Sequence, residues 1–200
     1  MKILFLMTFS FISLVSLSGC VSFTTLQTAQ PLDPGKVNID LGAAVHATNS
    51  FAFIPEAGAR VGLFTNADLG AKISLGGLFF VDAKYQFIDS PIRVSGDLGW
   101  SYNEWSNQDN HIASIGWYPT VLIGQDHWYV GIRETHLSSS GEIDLAGTQK
   151  ISGSKWFLTD FVVGASLGDQ LRILPELNFI FPTNGKALII EGIGFQFNYW

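Results

Sequence analysis

Residues 78–88 read Leu78-Phe79-Phe80-Val81-Asp82-Ala83-Lys84-Tyr85-Gln86-Phe87-Ile88. Phe79, Val81, Ala83, Tyr85 and Phe87 share one parity, and Asp82, Lys84 and Gln86 the other. Successive side chains of a strand point to opposite faces, so a period of two describes a strand with one apolar and one polar face. The pattern recurs on both sides of this stretch. Upstream, Val37, Ile39, Leu41, Ala43 and Val45 oppose Lys36, Asn38, Asp40 and His46, and Val61, Leu69, Ala71 and Ile73 oppose Arg60, Asp68 and Lys72. Downstream, Ile92, Val94, Leu98 and Trp100 oppose Arg93, Ser95 and Asp97, and Trp128, Val130 and Ile132 oppose Arg133. Phe157, Phe161 and Val163 oppose Asp160, while Arg172, Glu176 and Asn178 form the polar side of 171–181. The chain closes with Ile193, Phe195, Phe197 and Tyr199 against Gly194, Gln196 and Asn198. Residues 111–124 blur the alternation, and Pro119 within them predicts a bulge or local irregularity.

Turn signals at Asn66-Ala67, Gly76-Gly77, Asp89-Ser90-Pro91, Gln125-Asp126, Gly168-Asp169-Gln170 and Pro182–Gly185 separate these runs into about ten strands. Residues 48–57, 103–110 and 138–154 read as longer loops. Charged residues make up 14% of the chain, against about 25% in ordinary soluble domains. Aromatics are also 14%, and there are 21 glycines. No segment after residue 20 is a continuous apolar run of the roughly 20 residues that a helical span needs. These features point to an all-β fold: a single antiparallel up-and-down transmembrane β-barrel of about ten strands, with eight as the alternative. A net charge of −6 argues against a nucleic-acid partner.

Ahead of the strands lies Lys2, then the uncharged run Ile3–Val15, ending at Leu17-Ser18-Gly19-Cys20 with the only cysteine. A basic start, a short apolar stretch and small residues describe a secretory leader. Leu-Ser-Gly-Cys resembles the lipobox of bacterial lipoproteins. The resemblance implies a signal peptide at 1–19, cleavage before Cys20, and diacylglyceryl and acyl groups on Cys20, with no other cofactor. It also implies outer-membrane sorting, because Val21 and Ser22 lack the aspartate that retains such proteins at the inner membrane. Residues 20–35 then read as the lipidated N-terminus and a tether, and 36–200 as the barrel. With the tether periplasmic, the connections after strands two, four, six and eight are short and those after strands one, five and seven long, as in outer-membrane barrels, although the outside connections Gly76-Gly77 and Pro182–Gly185 are short too. The last strand, with Phe195, Phe197, Tyr199 and Trp200, also resembles the terminal strand that the barrel-insertion machinery recognises. Expected partners are therefore outer-membrane lipid, the barrel-insertion and lipoprotein-sorting machineries, and an external ligand or protein at the loops, where Phe51, Phe53 and Trp105 lie.

Alternation does not say which face is inside, and a lipid-anchored, lipocalin-like soluble carrier would show the same period. The charges on the polar faces are nearly balanced: Lys36, Arg60, Lys72, Lys84, Arg93, Arg133 and Arg172 against Asp40, Asp68, Asp82, Asp97, Asp160 and Glu176. Balanced opposite charges suit a closed interior, where each ion must find a partner. These thirteen side chains are therefore expected in the lumen, either plugging it or leaving a narrow water path. Glu191 breaks the pattern by sharing parity with Ile193, which predicts either an interfacial position or a bulge near Gly192.

Chemistry-bearing motifs are few. No histidine–cysteine cluster has metal-ligand spacing, and no glycine-rich nucleotide loop is present. His136 and Ser138 resemble the His-x-Ser pair of outer-membrane lipid A 3-O-deacylases, which implies a base and a nucleophile for ester cleavage. The glutamate that orients such a histidine has no counterpart at the right spacing, since Glu142 comes early and position 150 is Lys150. The omptin-type protease barrels also have ten strands, but their carboxylate sets have no match here. The leading expectation is a non-enzymatic, lipid-anchored outer-membrane barrel with a structural, binding or narrow-pore role.

Overall fold

The computed structural model describes residues 24–46, 52–74, 78–106, 111–142, 155–183 and 187–199. The leader, Cys20 and residues 143–154 lie outside them. Ten strands follow one another: β1 (Val37–His46), β2 (Ala52–Phe64), β3 (Ala67–Ser74), β4 (Phe79–Ile88), β5 (Arg93–Ser106), β6 (His111–Gly124), β7 (Trp128–Glu142), β8 (Lys155–Ala165), β9 (Leu171–Pro182) and β10 (Leu188–Tyr199). Each pairs antiparallel with its sequence neighbours, and β1 pairs with β10 to close the ring. The fold is the closed up-and-down barrel that the alternation predicts. Closure leaves no unpaired strand edge.

Parity decides the two faces. On the apolar parity, Phe87 is 66% exposed, Ile73 58% and Leu98 53%. On the polar parity, Asp68 is 1% exposed, Lys84 3% and Arg133 4%. A soluble carrier barrel has the reverse arrangement, so the lipocalin-like alternative is set aside. Phe64, Tyr85, Phe87 and Trp128 ring the end where β1 begins. On the opposite half, Trp100, Trp117, His136 and Phe157 pair across four strands in one outward row. Two aromatic girdles around an apolar band are the exterior of a barrel dissolved in lipid.

The irregularity expected at Pro119 is a local gap in one ladder, and the register shifts fall elsewhere. Pro119 interrupts the β6–β7 pairing without shifting it, since Trp117 faces His136 and Thr120 faces Arg133 in one register. The proline removes a donor, and the register resumes unchanged beyond it. Register shifts occur instead at Gly62/Phe64 in β2 and Gln86/Ile88 in β4. No bulge occurs at Gly192: Glu191 sits opposite Val45, on the outer face near the start of β10.

Three expected loops are shorter than their composition implies. β2 begins at Ala52, β5 runs to Ser106, and β7 continues to Glu142. Ser138, Ser139, Ser140 and Gly141 pair with Ile115, Ser114, Ala113 and Ile112. Serine and glycine give a strand little side chain to pack, but ladder bonds use the backbone and tolerate them here. Phe53 and Trp105 thus belong to strands and not to loops.

The two mouths differ chiefly at 143–154, since the other connections are two to five residues long at both ends. Connections at the β1 start are 65–66, 89–92, 125–127 and 166–170. At the other mouth they are 47–51, 75–78, 107–110, 143–154 and 183–187. Leu98, paired with Ala83 and Pro119 at mid-height, faces outward. Leu98→Arg is expected to destabilise the barrel in lipid vesicles by about 2–4 kcal/mol, the cost of a cation in the hydrocarbon midplane. Reversible denaturant unfolding measures this, and a loss below about 0.5 kcal/mol would place Leu98 outside the hydrocarbon.

Candidate functional site

The lumen is the part of the molecule where charge and polarity converge. Two long side chains cross a neighbouring strand on its wall by the same device. Arg60 on β2 pairs across from Gly70 on β3, which pairs with Asp82 on β4. Because Gly70 has no side chain, the Arg60 guanidinium lies over it, donating to Asp68 on β3 and to Asp82 on β4. A Cβ at Gly70 would meet the Arg60 Nη2 at 2.6 Å. On the opposite wall, Tyr129 on β7 crosses Gly164 on β8 and donates its hydroxyl to Glu176 on β9 at 2.9 Å. Next to it, Arg133 donates to its direct cross-strand neighbour Asp160. Between the walls, Phe80 and Tyr118 meet edge to face at 5.3 Å, and the Tyr118 hydroxyl bonds Ser101 at 2.8 Å.

Residues 24–33 fill what remains. The stretch expected as a free tether is a plug: Thr24, Leu26, Gln27, Thr28, Ala29 and Pro31 are buried inside the barrel. Its backbone forms no helix or strand, so each N–H and C=O needs another partner. The wall supplies them. Glu176 accepts the backbone N–H groups of Thr25 at 2.7 Å and Leu26 at 2.8 Å, together with Asn178 Nδ2 at 2.9 Å. Asp68 accepts the Leu32 N–H at 2.9 Å. Lys72 donates to the Thr24 carbonyl at 2.8 Å, and Lys84 to the carbonyls of Thr28 at 3.0 Å and Gln30 at 3.3 Å. Thr24 also donates to Glu56, and Gln27 to Asp97.

Shape matches this chemistry. Leu26 takes the left-handed conformation, φ 48°, a cost that persists only where surroundings enforce it. Its side chain rests on the paired glycines Gly42 and Gly194. A Cβ at Gly192 would meet Thr24 Cγ2 at 2.8 Å. The space left beside Thr24–Gln27 is about 40 Å³, room for a few waters. Toward the short-turn mouth a polar vestibule of about 280 Å³ opens, lined by Gln30, Lys36, Arg172 and Asn198.

The structure brings together Arg60, Asp68, Lys72, Asp82, Lys84, Asp97 and Glu176 as plug contacts or their supports, while Arg133 and Asp160 pair with each other on the β7–β8 wall. Asp40 joins through Gln196 Nε2 at 2.9 Å. Three of the thirteen expected lumen charges are at the rim, one being Arg172, the second residue of β9, half-buried in the vestibule wall. Lys36 precedes β1 and is exposed, and Arg93 donates to Asp126 in the turn at 2.5 Å. That hydrogen bond holds the Asp126 carboxyl below its ordinary range. Sequence reasoning missed Glu56, which bonds Lys72 at 3.0 Å. Its signal was the parity it shares with Arg60, hidden by Pro55 and the apparent loop. His136 and Ser138 share the outer face, but His136 packs edge to face on Phe157 at 5.1 Å, and Glu134 accepts from Thr159 at 3.0 Å. Among the described residues no hydrogen bond joins His136 to Ser138, and no cluster is placed to hold a metal ion.

The chain is similar in fold to several solved outer-membrane barrels. It matches the N-terminal barrel domain of Pseudomonas aeruginosa OprF at 9% identity and TM-score 0.36, covering 84% of this chain and 100% of that one. It matches the outer-membrane protease OmpT of Escherichia coli at 11% identity and TM-score 0.43, covering 86% and 100%. It matches Ail, the attachment invasion locus protein of Yersinia pestis, at 8% identity and TM-score 0.39, covering 83% and 99%. No family model and no curated protein matches the sequence. Likenesses this distant transfer neither activity nor partner, and the closed barrel rests on the strand pairings themselves.

Arg60→Met should cost about 3–5 kcal/mol, because Asp68 and Asp82 would remain buried without it. Adding Asp68→Asn and Asp82→Asn should recover most of that loss. Equilibrium unfolding of the single and triple variants measures both, and an additive further loss in the triple variant would contradict the network.

Proposed function

We propose that this chain is a lipid-anchored β-barrel of the bacterial outer membrane, sealed by its own N-terminal segment and serving as a non-enzymatic structural or binding platform. The observation that carries the reading is residues 24–33 in the lumen, held by carboxylates and lysines of the wall. A barrel built to conduct would leave its charged lumen to water. Here the spare valences of Glu56, Lys72, Lys84, Asp97 and Glu176 go to the plug. The apolar exterior and the contrast between short and long connections support membrane insertion with the short turns periplasmic. The tall β5–β8 hairpins then project outward as the surface on which a ligand or protein would dock. The leader and lipobox support delivery as a lipoprotein.

Planar-bilayer recording tests the seal. The full chain should pass no steady current, whereas deleting residues 24–33 should open a steady ionic conductance. Glu176→Ala, which removes the acceptor of two plug N–H groups, should give brief openings, and a heat-modifiable gel shift verifies that each variant is folded. Steady open-channel current through the full chain would refute the sealed reading.

Membrane washing tests insertion separately. Cys20→Ala, exported through a cleavable leader, should stay in the membrane under alkaline carbonate, because the strands hold it there. Release into the wash would make the lipid the only anchor.

A further inference from the structure

The outer face of β7 departs from the apolar pattern of its neighbours. Its outward residues run Trp128, Val130 and Ile132 from the short-turn mouth, then Glu134, His136 and Ser138. Glu134 is the seventh of fifteen residues in the strand, whereas the outward acids Glu104 and Glu191 lie near strand ends. It stands one pleat inside the aromatic row of Trp117, His136 and Phe157, at the level of the apolar band. An ionisable group at that depth is costly and needs a polar partner, because lipid chains offer none. Opposite it on β8, the Thr159 hydroxyl donates towards both carboxyl oxygens, at 3.0 and 3.2 Å. One hydroxyl brings a single proton to a group with about four acceptor sites. Donors stand unused beside it. Among the described residues, the His136 ring meets only the Phe157 ring, and Ser138 makes no side-chain hydrogen bond.

We propose that the outer face of β7 is the contact surface of a dimer, on which a second copy of this chain docks with the Glu134 carboxyl of each copy accepting from His136 of the other. The proposal rests on the membrane reading above. Two barrels inserted in the same direction form a closed pair only about a two-fold axis along the membrane normal. Each strand at the axis then meets its own counterpart at its own depth, and the surface must be its own complement. This one is. The acceptor Glu134 and the donors His136 and Ser138 follow one another on a single strand. The same rotation lays β8 of one copy over β6 of the other. β8 presents a ridge, the exposed rings of Phe157 and Phe161, with Phe161 edge to face on Phe181 at 5.8 Å. β6 lies in a shallow apolar depression lined by Leu98, Pro119, Val121 and Ile132. Ridge and hollow would close on either side of the polar pairs and keep lipid from them, as a rim does around an interfacial hot spot.

Cross-linking of single-cysteine variants of the full, exported chain in isolated outer membranes tests this. The reagent is a short bifunctional maleimide, and the unsubstituted chain is the control. Ile132→Cys, next to Glu134 on the outer face of β7, should give a covalent dimer. Leu69→Cys, outward on β3 and four strands away around the ring, should not. Adding Glu134→Leu to Ile132→Cys should lower the dimer-to-monomer ratio about tenfold, the worth of two symmetric hydrogen bonds within a membrane. Glu134→Gln keeps an acceptor and should hold the ratio within about twofold. Alkaline carbonate and a heat-modifiable gel shift establish that each variant is inserted and folded. Release into the wash overturns the membrane reading and this proposal with it. With a retained, heat-modifiable chain, three results overturn the proposal alone: Ile132→Cys stays monomeric, links to a protein of another size, or cross-links no better than Leu69→Cys. An unchanged ratio in Glu134→Leu does the same, because the polar pairs would then hold nothing together.

Discussion

A charge or an unpaired peptide group inside this barrel must find a partner, and most of the lumen follows from that requirement. Leaving one buried amide without a hydrogen bond costs on the order of 1–3 kcal/mol, and an unpaired ion costs more. The wall alone cannot satisfy itself, because Glu176 and Lys84 have more valences than neighbouring strands can fill. The N-terminal segment alone cannot either, because it has no ladder of its own. Each completes the other: Glu176 takes the N–H groups of Thr25 and Leu26, and Lys84 takes the carbonyls of Thr28 and Gln30. The lumen is in this sense a shared polar core, in which wall and plug hold each other in one arrangement.

Glycine makes that core geometrically possible. Arg60 reaches Asp82 over Gly70, Tyr129 reaches Glu176 over Gly164, and Leu26 lies on Gly42 and Gly194. Each glycine replaces a side chain on an intermediate strand with space that a long neighbour or the plug then fills. This differs from the conformational role of glycine at Gly35, where φ is 75° and the chain turns out of the lumen into β1. The same residue type thus shapes the interior at one set of positions and the path of the backbone at another.

A plug continuous with the first strand also constrains assembly. Ring closure between β1 and β10 cannot precede entry of residues 24–33 unless the segment threads a finished barrel. Closing the sheet around the segment avoids that step, and Gly192 and Gly194 on the closing strand are the surfaces that meet Thr24 and Leu26. Seam and plug in this way share one surface. The outer surface asks less of the sequence: it needs only apolar side chains on one parity and aromatics near the two rims.

The sequence by itself determined the strand count, the antiparallel closure and the parity of the faces. Those properties are local, carried by a period of two and by turn residues between neighbours in the chain. It also marked Arg60, Asp68, Asp82, Lys84 and Glu176 as a set, because opposite charges on one parity imply a shared interior. What only the tertiary structure decided was everything that passes between strands distant in sequence. Leu26 meets Glu176 across 150 positions, and no periodicity in residues 21–35 announces it. Glu56 looked like part of a loop because Pro55 and its neighbours disguise a strand that the backbone ladder nevertheless extends. Ser138–Gly141 looked like a loop for the same reason. A polar segment without regular structure reads as a tether until its unpaired N–H and C=O groups are seen opposite the carboxylates and lysines that need them.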